Sequence, residues 1–434
     1  MEMPKTTTLT LISLLLLTAC GGGSSDSDAQ DSASNSGTST ANAGSEIICP
    51  DELAAVELET APEYDSWLSM KGGGYGHVQR EWHNGCYQQL SFPADADNNP
   101  PYNEPQADYK PNWSPDGKHI TFFRRYFSFE GVAQEQLTLI GDNVIPNWIT
   151  QVMVMNAEDG SDVRPVTEDE YLHVNPMWTR KKYPNKAGEM AYRVTFTRGK
   201  RDPNFENLPT IIPRTGGAGA EVCWADVDGL PGEERCFTDL SQGSFFGYSS
   251  LKDGRMLVRI EETREMALIT PNDQDPTQTK FEVLDYEPQG TLEEAFGMPI
   301  LHKVTISPDE TKIAYMKVDP ALQNAGSADA FAFAVIAYAD LDIKNLTISN
   351  EVVVSDPIYN YVNIEWYPSW SHTNKQLLFA CSGTCPYWEP AVPINWYTDN
   401  SQIVEYDLET GNIRRISHDL DVNYRYPAVW GTVK

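Results

Sequence analysis

The chain has 434 residues, of which 40% are hydrophobic and 22% are charged, an ordinary composition for a globular protein with a large core. Its 62 acidic and 32 basic residues give a formal net charge of −30. A charge of this sign and size repels phosphate backbones and anionic lipid surfaces at long range, so we expect no nucleic-acid partner.

Residues 1–19 have the features of a secretory signal peptide. Lys5 precedes an apolar run from Leu9 to Leu17, which is too short to cross a bilayer. The run ends in Leu-Thr-Ala-Cys20, which resembles the lipobox of bacterial lipoproteins, whose cysteine is lipidated and becomes the first mature residue. Gly21 follows, instead of the aspartate associated with inner-membrane retention. We therefore expect a lipid anchor at Cys20 in the outer membrane, facing the periplasm or the cell surface; the alternative is an ordinary signal peptide with a chance cysteine.

Residues 20–45 are expected to form a flexible linker. They are almost entirely Gly, Ser, Asp, Ala, Asn and Thr, which cannot bury enough apolar surface to offset the entropy lost on ordering. With an end-to-end distance of about 5–6 Å × √n, roughly 25 such residues hold the folded part, residues 46–434, about 25–30 Å from the lipid.

Of the seven cysteines, six remain after the lipidated one, and an even number in an exported protein indicates disulfides. Local spacing favours two short-range pairs and leaves a third pair to fix the end of the linker to the folded domain. Six cysteines allow fifteen pairings, among which sequence alone does not choose; the pairs that spacing favours are Cys223–Cys236, Cys381–Cys385 and Cys49–Cys86. A thiolate metal site at the Cys-x-x-x-Cys of the second pair is the alternative, but it lacks a second pair of ligands at suitable spacing.

A short sequence pattern recurs through most of the chain. Its clearest copy is Pro-Asn-Trp-Ser-Pro-Asp-Gly at residues 111–117, followed by a β-forming run. The equivalent positions in successive copies are 65, 70, 58, 64 and 59 residues apart and are Trp113, Trp178, Tyr248, Ile306, Trp370 and Val429. Two further β-rich runs that meet at a glycine-containing turn follow, as in residues 151–167. Four strands per repeat is the pattern of a propeller blade.

The string Pro-x-Trp-Ser-Pro-Asp-Gly-x-x-Ile-x-Phe, with the later Asn-Ala-x-x-Gly and Arg-x-Val-Thr segments, resembles the WD40-like repeat of TolB-type propellers. The resemblance covers about residues 62–434 and concerns the repeat, because TolB itself has an additional N-terminal α/β domain and no lipid anchor. It implies an all-β fold, a six-bladed β-propeller of four-stranded blades, preceded here by the lipoprotein signal peptide and the disordered tether.

The two ends of the chain are expected to share one blade. The last repeat stops after one strand, at residues 426–433, whereas the β-rich runs 66–70, 77–81 and 86–91 precede the first complete repeat. Joining these segments by N- and C-terminal strand closure would complete the ring and remove two sheet edges.

In such a blade, the Ser-Pro-Asp-Gly turn and the turn between strands three and four share one face, which we call the turn face. The long insertions fall on the opposite face, which we call the elaborated face, and this asymmetry makes the elaborated face the expected binding surface. The expected insertions are 125–149, 200–219, 318–330 and 383–400 within blades, and 92–109, 286–301 and 356–366 between blades.

Aromatic residues are concentrated in these insertions. Such side chains suit sugar rings or a protein partner, because they offer a large apolar contact at a small entropic cost. Phe245 and Phe246, in a connection between blades, are expected to add to this surface. The expected ligand-binding residues are Tyr387, Trp388, Trp396, Tyr397, Trp366, Tyr361 and His302. The alternative is that these rings pack the loops onto the propeller.

Catalytic motifs are sparse. The sequence contains no Gly-x-Ser-x-Gly, no His-Glu-x-x-His, no phosphate-binding glycine loop and no dinucleotide fingerprint, and we expect neither a cofactor nor a metal. Some propeller lyases carry out β-elimination at a uronic acid, which needs a base, a phenol and a charge-neutralising group in one place. The candidates for these three roles are His173, Tyr248 and Arg264, and they would support this reaction if they converged. The negative net charge disfavours an anionic polysaccharide unless basic residues cluster locally.

The leading hypothesis is therefore an outer-membrane lipoprotein whose propeller binds an envelope protein or glycan without catalysis. The alternatives are a surface-tethered polysaccharide lyase or other glycan-active enzyme, and a periplasmic scaffold of a Tol-like envelope complex. Convergence of His173, His302 and an arginine around a deep pocket would favour catalysis, whereas a broad aromatic surface would favour binding.

Overall fold

In the computed structural model, the regular secondary structure of the described residues is nearly all β, and the strands have a propeller-like arrangement. Its helices within the described residues are the short 3-10 turns Leu240–Gln242 and Pro276–Gln278. None of the described helical segments has the length and apolar character needed to cross a membrane. The structure describes residues 46–49, 66–71, 77–83, 85–91, 107–128, 147–167, 172–199, 219–263, 265–272, 274–286, 302–318, 333–354, 363–383, 401–417 and 424–430.

The strands are short, with two to ten residues each. In chain order they are β1 (Ser66–Lys71), β2 (His77–Trp82), β3 (Tyr87–Gln89), β4 (Ala107–Trp113), β5 (His119–Ser128), β6 (Asn147–Asn156), β7 (Arg164–Pro165), β8 (Leu172–Trp178), β9 (Tyr183–Pro184), β10 (Met190–Ala191), β11 (Arg193–Gly199), β12 (Ala220–Asp226), β13 (Arg235–Cys236), β14 (Phe245–Ser250), β15 (Met256–Ile260), β16 (Met266–Thr270), β17 (Lys280–Val283), β18 (Asp285–Tyr286), β19 (His302–Ile306), β20 (Lys312–Val318), β21 (Phe333–Asp342), β22 (Thr347–Val353), β23 (Asn363–Trp370), β24 (Gln376–Gly383), β25 (Ser401–Asp407), β26 (Ile413–Arg415) and β27 (Tyr424–Trp430).

The strands form repeated four-strand units in which sequence neighbours pair antiparallel. The first unit is β4 to β7, and the second is β8 with β11 to β13. The third is β14 to β17, the fourth is β19 to β22, and the fifth is β23 to β26. A closing unit consists of β27 followed by β1 to β3. Strands β9 and β10 form a separate hairpin.

The closing unit joins the two ends of the chain. Strand β27 pairs antiparallel with β1, so that Trp430 lies opposite Ser66 and Ala428 lies opposite Leu68. The expected strand closure is therefore confirmed, with β27 at Tyr424–Trp430 where the sequence suggested residues 426–433.

The apolar core lies between successive units. On one side of the closing unit, Trp67 packs with Leu378 and Ile403 of the fifth unit. On its other side, Leu68 packs with Phe122 of the first unit. Similar buried clusters lie between the first and second, second and third, third and fourth, and fourth and fifth units.

The Ser-Pro-Asp-Gly turn has a defined hydrogen-bonding role. The Ser114 hydroxyl donates to Asp116 Oδ1 over 2.7 Å and accepts from the backbone N–H of His119 over 3.0 Å. The backbone N–H of Ala157, in the turn between β6 and β7, donates to the carbonyl of Lys118 over 2.9 Å. Because this bond joins the two turns directly, the prediction that they share one face is confirmed.

The third unit has a different register from the one expected. In the first unit, Ser114 begins the turn directly after Trp113. Its backbone N–H donates over 2.8 Å to the carbonyl of His119, the first residue of the next strand. In the third unit the amide of Leu251 makes the same bond over 2.8 Å. Ser250, and not Tyr248, therefore occupies the position of Trp113, and the missing tryptophan is the reason for the wrong alignment.

Three predicted insertions are shorter than expected. Strand β5 continues to Ser128 and β6 begins at Asn147, because β-forming residues in this segment, such as Tyr126 and Ile149, pair with each other. Similarly, β4 and β23 begin inside the insertions predicted at 92–109 and 356–366.

Candidate functional site

The first strands of five units, β4, β8, β14, β19 and β23, surround a central cavity of about 220 Å³. Most described side chains along it are hydroxyl, amide or aromatic, and the charged residues among them are two cations. The lining includes Lys110, Asn112, Asn175, Arg180, Tyr248 and Tyr367. The cavity extends to Pro115, so it reaches the turn face.

Bulges in the first strands direct side chains into this cavity. The pairing of β4 with β5 shifts register between Tyr109 and Asn112, which leaves Lys110 in the bulge. Lys110, Asn175 and Tyr367 have positive φ values of 51°, 59° and 54°, and each is followed by a proline. Asparagine tolerates this left-handed conformation, but for lysine and tyrosine it costs about 1–2 kcal/mol.

Side chains from three units meet across the cavity. The Lys110 ammonium Nζ donates to Asn175 Oδ1 over 2.7 Å and lies 4.7 Å from the ring centroid of Tyr367. The Asn175 amide Nδ2 in turn donates to the carbonyl of Gly247. These contacts fix the position of a cationic group inside the cavity.

Arg180 crosses the cavity near the turn face. From the turn after β8, the first strand of the second unit, its Nη1 donates to the Ser307 carbonyl over 2.8 Å and its Nη2 to the Ile306 carbonyl over 2.7 Å. Nη1 also lies 3.6 Å from Glu310 Oε1. Burial lowers the pKa of Arg180, and the Glu310 carboxylate opposes that shift. The side chain thereby connects the second unit to the fourth.

His173 is buried between strands and is not exposed to solvent. Its Nδ1 lies 3.0 Å from the carbonyl oxygen of Thr150, so Nδ1 carries a proton and donates. Its backbone N–H donates to Thr150 Oγ1 over 2.6 Å, and its ring meets Phe196 edge to face at 5.3 Å between centroids. These contacts give His173 a structural role in joining the first and second units.

Tyr248 borders the cavity, but its hydroxyl accepts a hydrogen bond of 3.0 Å from Nη1 of Arg259. Burial raises the pKa of Tyr248 to about 12, although the nearby Arg259 charge opposes the shift. The phenol is therefore neutral near pH 7. The structure places Arg259 beside this tyrosine, whereas Arg264 is outside the described residues.

Three arginines on the second strands of successive units are neutralised by carboxylates of their own unit. The pairs are Arg124 with Asp108 (Nε to Oδ1, 2.6 Å), Arg198 with Glu221 (Nη2 to Oε2, 3.0 Å) and Arg259 with Glu261 (Nη2 to Oε1, 2.5 Å). All six side chains are largely buried. These pairs leave little net charge to act on a ligand.

The two phenylalanines expected on the binding surface are buried instead. Phe245 is 1% and Phe246 is 8% exposed, because they pack against the second and fourth units on the two sides of β14. That prediction is wrong.

The other predicted ligand-binding residues stay predictions. The backbone of Trp366 lies in β23 and that of His302 in β19, but their side chains are outside the description. The positions that lie wholly outside the described residues are Tyr361, Tyr387, Trp388, Trp396 and Tyr397.

Two of the expected disulfides, Cys49–Cys86 and Cys223–Cys236, are confirmed. Cys381 is disulfide-bonded, and its expected partner Cys385 is outside the described residues. Among the described residues, no three His, Cys, Asp or Glu side chains are grouped so that they could hold a metal ion.

Sequence reasoning missed Lys110, Asn175 and Arg180. A signal for the first two is present: each precedes a proline that comes two residues before the repeated tryptophan. Arg180 has no comparable signal, because its importance comes from a contact with a unit more than 120 residues away.

Solved structures with a similar fold include the hydrazine synthase of Kuenenia stuttgartiensis, at 11% identity and a TM-score of 0.50, with 85% of this chain and 46% of that chain covered. They also include a puromycin-hydrolysing peptidase of Mycobacterium tuberculosis, at 13% identity and a TM-score of 0.41, with coverage of 82% and 46%. A candidate TolB of Agrobacterium tumefaciens is similar at 11% identity and a TM-score of 0.40, with coverage of 85% and 99%.

The chain spans slightly less than half the length of the first two proteins. No protein-family model and no curated protein sequence matches it. At 11% identity, the similarity to the hydrazine synthase shows a shared fold and carries no information about activity.

Proposed function

We propose that this protein is a six-bladed, TolB-like propeller anchored to the outer membrane at Cys20, which binds an envelope protein or glycan through its elaborated face. In this proposal residues 1–19 are removed, residues 20–45 link the lipid to the propeller, and the propeller acts as a binding or scaffold module.

Packing between the units supports the six-blade count. The five complete units and the closing unit each have the same antiparallel strand order. Buried clusters lie between all successive units, and Trp67 connects the closing unit back to the fifth. A closed ring of six blades accounts for this pattern and leaves no open face at the end of the array.

The proposal that the protein binds without catalysis is supported by the surroundings of His173 and Tyr248, the two catalytic candidates among the described residues. His173 is fully buried, with Nδ1 donating to a backbone carbonyl. Tyr248 has a pKa of about 12 and is held by Arg259. Neither group is arranged to accept a proton from a substrate near neutral pH, which β-elimination requires.

Binding and lyase activity are distinguished by assaying the full-length lipoprotein in detergent. The protein is incubated with a panel of uronic-acid polysaccharides while the absorbance of unsaturated products is followed, and the same preparation is used to capture envelope proteins and glycans. We expect specific capture and no unsaturated product. Product formation that is abolished by His173→Ala, in a variant that keeps its fold, would show the protein to be a lyase.

A further inference from the structure

The outer strands of the units differ in how their edges are protected. An edge with unpaired backbone groups is a template for pairing with another chain, and proteins protect it with short strands, proline or a covering segment. The outer strands β7, β13 and β26 have two or three residues each, and β7 ends in Pro165. Strand β3 is covered by a bridge to Ile48, and β22 by its parallel pairing with β18. Among the described outer strands, β17 lacks these forms of protection.

The edge of β17 is exposed along its whole length. Phe281 is 46% and Val283 is 40% exposed, so two apolar side chains lie beside the edge. The backbone N–H of the next residue, Leu284, donates to the carbonyl of Met266 in β16 over 2.8 Å. Hydrogen bonds between two antiparallel strands recur at every second residue, so the backbone N–H and C=O groups of Phe281 and Val283 point away from the sheet. No other strand of the described residues pairs with this edge.

The charged side chains of β17 are complementary to those of a second copy of the strand. Lys280 and Glu282 are both exposed, and neither takes part in an ion pair within the described part of the chain. If two β17 strands pair antiparallel about a two-fold axis at Phe281, each Lys280 lies directly opposite Glu282 of the partner subunit. A register shifted by one residue, centred on Glu282, would place two carboxylates opposite each other, which is destabilising. The charges therefore favour the register centred on Phe281.

We propose that two copies of this chain associate through β17, with the strands antiparallel and Phe281 on the two-fold axis. The Phe281 backbones exchange two hydrogen bonds, and the Lys280 and Glu282 side chains form two ion pairs on one face of the joined sheet. Thr279 ends the accessible edge, because it is 5% exposed and its carbonyl accepts from Gln242 over 2.9 Å. A pairing this short buries less than the roughly 1,200 Å² at which stable interfaces begin, so the dimer is weak and reversible. The association does not depend on the proposed ligand, and the proposed lipid anchor would strengthen it by confining both copies to one membrane.

Charge reversal tests this register. Sedimentation velocity of the full-length chain in detergent, over a series of concentrations, should show reversible dimers of the wild type. Lys280→Glu and Glu282→Lys should each raise the dissociation constant about tenfold, because both ion pairs of the dimer become like-charge pairs. An equimolar mixture of the two variants should associate like the wild type, since every charge pair across the mixed dimer is attractive again. Lys118→Glu, the matched control, makes the same charge change at an exposed residue of the first unit and should leave the dissociation constant unchanged.

Oxidative cross-linking tests the position of the two-fold axis. With copper phenanthroline as the oxidant, Phe281→Cys should give a covalent dimer on a non-reducing gel, because the two copies of this residue lie directly opposite each other. Val283→Cys is the matched control and should give none, since its two copies lie four residues apart along the strands, about 13 Å.

Three results overturn the inference: a wild type that stays monomeric at every concentration, a dimer that neither charge reversal weakens, and a mixture that associates no better than the separate variants. If Phe281→Cys fails to fold, the mixture decides, because Lys280 and Glu282 are exposed. A monomeric wild type whose capture of an envelope protein is lost in Lys280→Glu would assign the edge to a different partner and also overturn the pairing of two copies. Absence of dimers while capture of the envelope ligand persists contradicts this association and leaves the proposed function standing.

Discussion

The indole Nε1 of Trp178 donates a hydrogen bond of 3.0 Å to the backbone carbonyl of Asn112 in the preceding unit. Trp370 makes the equivalent bond, 3.3 Å long, to the carbonyl of Thr305. The tryptophan of the repeated motif therefore packs its own sheet and also bonds to the neighbouring unit, which explains its recurrence before the turn.

Two replacements of Trp178 are expected to separate the contribution of its packing from that of its hydrogen bond. Trp178 is 6% exposed, so Trp178→Ala should lower the free energy of unfolding by about 3–5 kcal/mol through loss of packing. Trp178→Phe keeps an aromatic ring but loses the hydrogen bond. It should lower the free energy of unfolding by about 1 kcal/mol more than the loss of buried area alone accounts for. Urea unfolding measures both values.

Met190→Ala is the control for the two Trp178 variants. Because Met190 is 58% exposed, this substitution should change the free energy of unfolding by less than about 0.5 kcal/mol. A Trp178→Ala variant as stable as this control would show that the indole does not hold the units together.

Strand closure predicts a sharp boundary at the C-terminus. Deletion of residues 424–434 should leave β1 as an unpaired edge beside the buried Trp67, and should cause loss of folded protein or aggregation. Deletion of residues 431–434 alone should be tolerated, because the pairing ends at Trp430 opposite Ser66. Soluble yield and protease resistance compare the two truncations, and equal behaviour would argue against the closing role of β27.

Tyr248 gives a prediction at alkaline pH. Its folded pKa of about 12 lies above the ordinary value of 10.0 expected in the unfolded chain. The stability that this group contributes is therefore complete below about pH 10 and is lost as the pH rises through about 12. At 1.36 kcal/mol per pKa unit, the stability advantage of the wild type over Tyr248→Phe should shrink by about 3 kcal/mol across this window. Parallel stability curves for the two proteins would contradict the assigned pKa.

Cys20→Ser tests the proposed lipid anchor. The variant should move from the membrane fraction to the soluble fraction, because a serine hydroxyl is not a substrate for thioether lipidation. Cys49→Ser is a useful comparison, since Cys49 is paired with Cys86 and its loss should change stability but not anchoring. Retention of Cys20→Ser in membranes after a high-salt wash would mean that the lipobox assignment is wrong.

The features that could be predicted from sequence are those fixed by local chemistry. The turn at Ser114 and Asp116, and the pairing of Cys223 with Cys236, follow from short-range spacing. The strand closure followed from counting strands in a repeat, since a unit with one strand needs partners.

The features that could not be predicted depend on pairing between strands. Lys110 points into the cavity because of a bulge, and a bulge is invisible to a simple alternation of inward and outward residues. The alignment of Tyr248 with the motif tryptophan was wrong because the third unit has Ser250 at that position. The burial of Phe245 could not be predicted either, because it depends on the neighbouring second unit packing against β14.

The most direct test of binding through the elaborated face is the affinity of the captured envelope ligand for wild-type protein and for a variant that combines Trp388→Ala with Trp396→Ala. We predict a loss of affinity of at least tenfold, because aromatic side chains are frequent hot spots, with unchanged melting temperature. Lys118→Met, on the turn face, should bind the ligand like the wild type. Unchanged affinity of the folded double variant would contradict the proposal that the aromatic residues of this face bind the ligand.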